Sequence, residues 1–281
     1  MISWGIAWAS AKIVGQYINP NTAIFIRFLF SALALLPICL IFKYNLSIKL
    51  FSLKKIFICS IAFYLYNYCF FTATDLGLAG SGGVLVTTAN PIITMVLISI
   101  IKKHKLLFND VLGIILGLLG GGFILNIWNL GVSHIFQNGN IYFILCAIIW
   151  SLLTIFISQF CDKSQSINFT FWIYIGVIII MLPIINFNDI IIIFSYDSKF
   201  WIHFFIVSIG ALSFGTTFYF VASQQLGAKI TSSFIFTVPI SAMLTSILIL
   251  NEELTLSIFI GCCLTILGVI IINKNPKQLN T

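Results

Sequence analysis

Two stretches of membrane length, 148 residues apart, each carry a proline near the centre. Leu78–Ile101 reads LAGSGGVLVTTANPIITMVLISII and Leu226–Ile249 reads LGAKITSSFIFTVPISAMLTSILI, with Pro91 and Pro239 in register. At about 1.5 Å per helical residue either run spans the roughly 30 Å of hydrocarbon in a bilayer. A mid-span proline removes one helix hydrogen bond, and in lipid the freed carbonyl must be satisfied by neighbouring helices, hydroxyls or water. Thr87, Thr88 and Asn90, and likewise Ser232, Ser233 and Thr237, are the expected suppliers. Because lipid leaves no backbone group unpaired, a chain made of such runs folds as a bundle of membrane helices.

The rest of the chain has the same character. It is 60% apolar and 7% charged, with a mean hydropathy of +1.12, values outside the range of water-soluble domains. Ten apolar runs can be drawn, at 1–18, 21–42, 55–75, 79–101, 108–127, 140–160, 168–187, 200–222, 229–250 and 255–273. The net charge of +7 does not indicate nucleic acid, because the basic residues lie in short clusters between the runs. Lys43, Lys49, Lys54, Lys55, Lys102, Lys103, Lys105, Lys163, Lys229, Lys274 and Lys277 all fall at even-numbered exits, and only Lys199 falls opposite. By the positive-inside rule both termini are cytoplasmic. Thirteen lysines against one arginine, with abundant Ile, Phe and Asn, point to an AT-rich bacterial genome and hence to the inner membrane.

The opening pair is part of a wider duplication. At an offset of 146, Trp4 falls on Trp150 and Pro37 on Pro183. At 148, Pro91 falls on Pro239, Gly113 on Gly261 and Gly120 on Gly268. Five runs per half is an odd number, so the second half must enter the membrane from the opposite face. The expected fold is all-α and polytopic: ten transmembrane helices as two inverted five-helix repeats, residues 1–130 and 139–275, around a central cavity.

Lys12 and Arg27 are the strong bases inside spans, each near the short loop at 18–21. An intramembrane base costs about 2.5–3.5 kcal/mol on insertion scales, so each needs compensation. They either line a wet cavity that receives a carboxylate or snorkel to the outer interface. Trp4, Trp8 and Lys12 recur every four residues on one helix stripe, with repeat partners Trp150, Thr154 and Ser158. On the third run Tyr64, Asn67, Tyr68, Phe71 and Asp75 share a face, matched on the eighth by Thr216, Tyr219 and Ser223. Such a stripe lines a cavity or forms packing and interfacial belt. The glycines of runs five and ten read as close helix packing. Glu252 and Glu253, in the loop between runs nine and ten, read as solvated charge.

Other chemistries find little support. The seven cysteines, Cys39, Cys59, Cys69, Cys146, Cys161, Cys262 and Cys263, include no CxxC pair, so neither a disulfide framework nor a zinc site is indicated. The AGSGG at 79–83 lacks the first glycine of a rhomboid-type GxSG, and His104, His134 and His203 fall near span ends. There is no phosphate loop, and no cofactor is expected. The first run lacks the basic n-region and small-residue cleavage site of a cleavable signal.

With these pieces in order, the chain resembles the EamA-type ten-helix permeases of the drug/metabolite transporter superfamily. The residues that carry the likeness are SWGIAWASAKI at 3–13, IRFLFSALALLP at 26–37, FYFVASQQLGA at 218–228 and NEELTLSIFIGCCLTILGVI at 251–270. GCCLTILGVIII also resembles the last helix of small multidrug resistance proteins. The resemblance implies two five-helix bundles, alternating access, and usually export of metabolites such as amino acids. Lys12 and Arg27 match a lysine and an arginine common in the first- and second-helix motifs, and Asn251-Glu252 stands where Gly-Glu is usual. The cation-binding glutamate of the small multidrug proteins is missing from the first span.

The expected protein is therefore a non-enzymatic secondary transporter of an anionic or zwitterionic, amino-acid-like metabolite. Lys12 and Arg27 would meet a carboxylate, Trp4, Trp8, Tyr64, Tyr68, Trp150 and Tyr219 would form walls, and Asn67, Asn90 and Thr216 would orient polar groups. Pro91 and Pro239 would act as helix breaks in gating. Its partners are a small-molecule substrate and the lipid bilayer, with protons or another coupling ion as an open alternative to uniport, no nucleic acid, and an oligomeric state the sequence leaves open. Import of a nutrient or nucleotide-like metabolite is the alternative direction, and a non-transporting scaffold or receptor is the alternative class.

Overall fold

A computed structural model describes residues 1–44, 46–47, 50–101, 103, 107–160 and 166–273. Lys49, Lys102, Lys105, Lys163, Lys274, Lys277, His104 and Cys161 lie outside the described residues. Among those described, helices and their connecting turns account for the chain, without strands.

The principal helices are α1 (Ile2–Gly15), α2 (Pro20–Ile41), α3 (Leu50–Leu76), α4 (Ala79–Ile101), α5 (Phe108–Ile124), α6 (Asn140–Phe160) and α7 (Ser166–Met181). They are followed by α8 (Ser198–Leu226), α9 (228–250) and α10 (Leu256–Asn273). Among the described residues five segments are long and apolar enough to cross a membrane: Pro20–Ile41, Ser52–Leu76, Ala79–Ile101, Asn140–Gln159 and Ser198–Leu226. Shorter apolar helices occur in α5, α7, α9 and α10. The chain is a multi-pass membrane protein.

Two of the principal helices start where the sequence supplies a side-chain cap. Asn19 accepts a bond from the Thr22 amide at 2.9 Å just before Pro20, which can open a helix because its missing N–H would be unpaired there. Asp197 does the same for α8 through the Phe200 amide at 3.0 Å.

The two prolines behave differently. Pro91 sits inside an unbroken α4, whereas α9 is divided into a helical turn at Ala228–Ser233, a 3₁₀ turn at Phe234–Thr237 and a helix at Val238–Leu250. Pro239 is thus the second residue of a restarted helix. The expected donors do not reach the carbonyl freed by Pro91. Thr87 and Thr88 donate to Gly83 and Val84 in their own turn, and the Asn90 amide donates to Ser151 at 2.9 Å. The side chains of Ser233 and Thr237 lie outside the described set.

Contacts cross between the halves. α5 packs along α10, α1 against α9, and α6 against both α3 and α4. A Cβ on Gly120 would lie 2.7 Å from the Gly261 carbonyl oxygen, and one on Gly268 would lie 2.7 Å from that of Gly113. Residue 113 meets 268 and residue 120 meets 261, so α5 and α10 run antiparallel, and glycine lets the two backbones touch. These pairs are reciprocal under the 148-residue offset, as an interface between two like elements related by a twofold must be.

Candidate functional site

A cavity lies between the halves, with walls from α1, α2, α3, α4, α6, α8 and α9. It brings together seven of the side chains singled out from the sequence: Trp4, Trp8, Arg27, Asn67, Asn90, Trp150 and Thr216. Trp4 meets Trp150 edge-on with centroids 5.2 Å apart. These two are repeat partners, so they touch where the halves meet. Trp8 stands edge-on to Phe70 at 4.7 Å and Tyr66 lies 4.8 Å from Trp150, which completes an aromatic wall.

Arg27 is 5% exposed. Its Nε donates to the Val207 carbonyl at 3.1 Å and its Nη1 to Asn67 Oδ1 at 2.6 Å. Asn67 is held in turn by donating to the Phe63 carbonyl at 2.8 Å. The guanidinium lies 5.3 Å from the Phe70 centroid and 5.7 Å from that of Phe71, a cation–π arrangement. No carboxylate stands within ion-pair distance of it among the described residues, where the one salt bridge is Lys12–Glu252. The cavity therefore holds a fixed cation with neutral neighbours.

A wide helical turn positions this group. Residues Ile206–Thr216 of α8 form a π-helix, whose wider ladder offsets its carbonyls and commonly marks functional positions. Side chains collect on those carbonyls: Arg27 on Val207, Ser31 on Ser208 at 2.8 Å, Trp4 Nε1 on Ala211 at 2.9 Å, and Tyr174 on Leu212 at 2.7 Å. Gly215 makes room for Trp4, since a Cβ there would lie 2.7 Å from the indole nitrogen.

Four predicted residues stand elsewhere. Lys12 does not face the cavity. In the last turn of α1, its Nζ donates to the Gly77 carbonyl at 2.6 Å and lies 3.7 Å from Glu252 Oε1. Glu252 is not solvated charge either, because its side chain is only 8% exposed. Its two oxygens accept the Ala79 and Gly80 amides, each at 2.8 Å, so it caps the start of α4, where a helix favours negative charge. Tyr64 and Tyr68 pair with each other at 6.2 Å away from the cavity, and Tyr68 is 38% exposed. Tyr219 stands behind the wall, its ring 4.9 Å from Trp4 and its hydroxyl 3.1 Å from that of Thr154.

Sequence reasoning passed over Phe63, Tyr66, Phe70 and Gly215, and read Glu252 as solvated charge. The signals were faint: the small residues of SIGALSFGT in α8, and the usual Gly-Glu replaced by Asn-Glu before α10. Among the described residues no cluster of three or more His, Cys, Asp or Glu could hold a metal.

A bundle of membrane helices with a charged, aromatic-walled cavity between its halves has the architecture of a small-molecule carrier. The comparisons agree. The profile of the EamA-like transporter family matches residues 1–126 and 137–274, and the chain belongs to that family. A solved crystal structure, described only as that of a protein, is similar over 99% of this chain and 96% of its own, with a TM-score of 0.66 at 14% identity. That likeness is one of fold. No curated protein matches the sequence.

Proposed function

We propose that this protein carries a small, carboxylate-bearing, amino-acid-like metabolite out of a bacterial cell across the inner membrane by alternating access. The observation that carries this reading is Arg27, buried in a cavity between the halves with no acidic partner among the described residues. A buried cation without a counterion is costly, and a solute carboxylate arriving there supplies the missing charge with a two-pronged hydrogen-bond geometry. The aromatic walls give the remainder of the solute an apolar surface.

In the same reading the ten principal helices are ten spans, organised as inverted repeats over 1–130 and 139–275, with both termini cytoplasmic. The reciprocal glycine contacts of α5 and α10 and the Trp4–Trp150 contact support the repeat, and the lysine-rich even-numbered exits support the orientation. The Lys12–Glu252 contact, at the face opposite those lysines, ties the α9–α10 loop to α1 and α4. That tie must part when the cavity opens outward, and the 3₁₀ break before Pro239 lets α9 bend in the same movement.

Exchange of radiolabelled amino and organic acids across proteoliposomes, with and without a pH gradient, tests the reading and the coupling together. Arg27→Met should abolish exchange of the carboxylates that the unaltered protein carries, and Arg27→Lys should retain part of it. Unchanged exchange by correctly inserted Arg27→Met would refute the assignment.

A further inference from the structure

We propose that Asn90 is a specificity-determining residue that reads a hydrogen-bond donor on the solute, so that the cavity selects amine-bearing carboxylates over plain carboxylates. This rests on the transport reading above and adds a second recognition pole to Arg27.

Asn90 is 1% exposed and lines the same cavity as Arg27. Its two amide ends are not equivalent. Nδ2 donates to Ser151 Oγ at 2.9 Å. The Ser151 hydroxyl has one proton, and backbone carbonyls stand ready for it at 2.7 Å on Ala147 and 3.2 Å on Asn90 itself. With its proton given to a carbonyl, Ser151 can only accept from Asn90, and this fixes which way round the amide sits. Oδ1 then has no hydrogen-bond partner among the described residues. Asn90 therefore brings a buried, unpartnered acceptor to the cavity lining, beside the second Nδ2 hydrogen.

Arg27 is the complement. With Nε on Val207 and Nη1 on Asn67, its Nη2 makes no hydrogen bond among the described residues. The cavity lining thus carries a cationic donor, Arg27, and a neutral acceptor, Asn90 Oδ1, among aromatic rings. A solute with a carboxylate and an ammonium or N–H group meets both poles. A plain carboxylate leaves a buried acceptor unmet, which binding sites penalise strongly. A plain amine meets Asn90 but gives Arg27 nothing to neutralise it.

The test uses the full-length protein in detergent and three probes that share one ring: phenylalanine, 3-phenylpropanoate and 2-phenylethylamine, with affinities read by calorimetry. Phenylalanine should bind at least about tenfold more tightly than either of the others, the effect expected for one hydrogen bond to a charged group. Asn90→Leu should bring phenylalanine to within about threefold of 3-phenylpropanoate. Ser151→Ala, a change behind Asn90, should shrink the same gap, because the released amide can turn its donor inward. Asn90→Asp should raise the affinity for 2-phenylethylamine, and these two variants carry the test if Asn90→Leu does not fold. Equal, Arg27-dependent binding of the two carboxylates by the unaltered protein would overturn the inference and leave the transport reading standing. Carboxylate binding that is absent or independent of Arg27 would overturn both.

Discussion

Replacing Glu252 separates a structural clasp from loose surface charge. Glu252→Ala removes two amide-to-carboxylate bonds of 2.8 Å each and the counterion 3.7 Å from Lys12. Loss of an N-terminal helix cap costs about 1 kcal/mol, and loss of negative charge at that terminus about 0.3–1 kcal/mol more. With side-chain exposures of 24% and 8%, the ion pair is better shielded than a surface pair, for which about 0–1 kcal/mol is typical. Together these give a destabilisation of about 2–3 kcal/mol for Glu252→Ala, and about 1–2 kcal/mol for Glu252→Gln, which keeps an acceptor oxygen. Unfolding in mixed micelles titrated with sodium dodecyl sulfate reads these values, and a double-mutant cycle with Lys12→Met isolates the pair. The expected coupling is about 0.5–1 kcal/mol. If both single variants stay within about 0.5 kcal/mol of the unaltered protein and their effects add, Glu252 is ordinary surface charge and the clasp is wrong.

Other outcomes follow from the same contacts. A Cβ at Gly215 drives into the Trp4 indole, so Gly215→Ala should weaken carboxylate binding at unchanged membrane insertion and shift the tryptophan fluorescence. Gly120→Ala and Gly261→Ala meet backbone atoms that cannot yield and should cost about 1–3 kcal/mol each. Among the described residues nothing lies within 4 Å of a Cβ added at Gly210, so Gly210→Ala should be neutral in the same unfolding assay. At the N-terminal end of α8, the Phe200 amide, helped by the Tyr17 hydroxyl and Lys199, holds the Asp197 carboxyl below its ordinary value. Such a group stabilises the fold above its unfolded value near about pH 4 and ceases to as pH falls through the lower folded one. Asp197→Asn should flatten that part of the acid limb of the melting curve.

The helices were legible from the sequence because membrane-length apolar runs leave the backbone no other solution, and the offset glycines and tryptophans marked where the halves touch. What faces the cavity was harder to read. Inside a soluble protein a polar stripe marks the wet face, but lipid is as apolar as a packed helix interface, so Tyr64 and Tyr68 could not be told from Asn67 by spacing alone. Lys12 and Glu252 were misread for a related reason. Their partners, the backbone groups of Gly77, Ala79 and Gly80, carry no signature in the sequence, and a loop acid reads as solvated until the end of a helix is placed beneath it. The π-helix of α8 was likewise invisible, since the carbonyls it offers to Arg27, Ser31, Trp4 and Tyr174 belong to Val207, Ser208, Ala211 and Leu212, a run with no distinctive signature.

The central claim is that the Arg27 cavity is reached from both sides of the membrane in turn. A cysteine placed at Thr216, in an otherwise cysteine-free chain, samples that cavity directly. A small anionic, membrane-impermeant thiol reagent should modify Thr216→Cys when added at either face, with the rate lowered by transported solute and by Arg27→Met. No modification from either face, in a protein shown to be folded and inserted, would contradict the account.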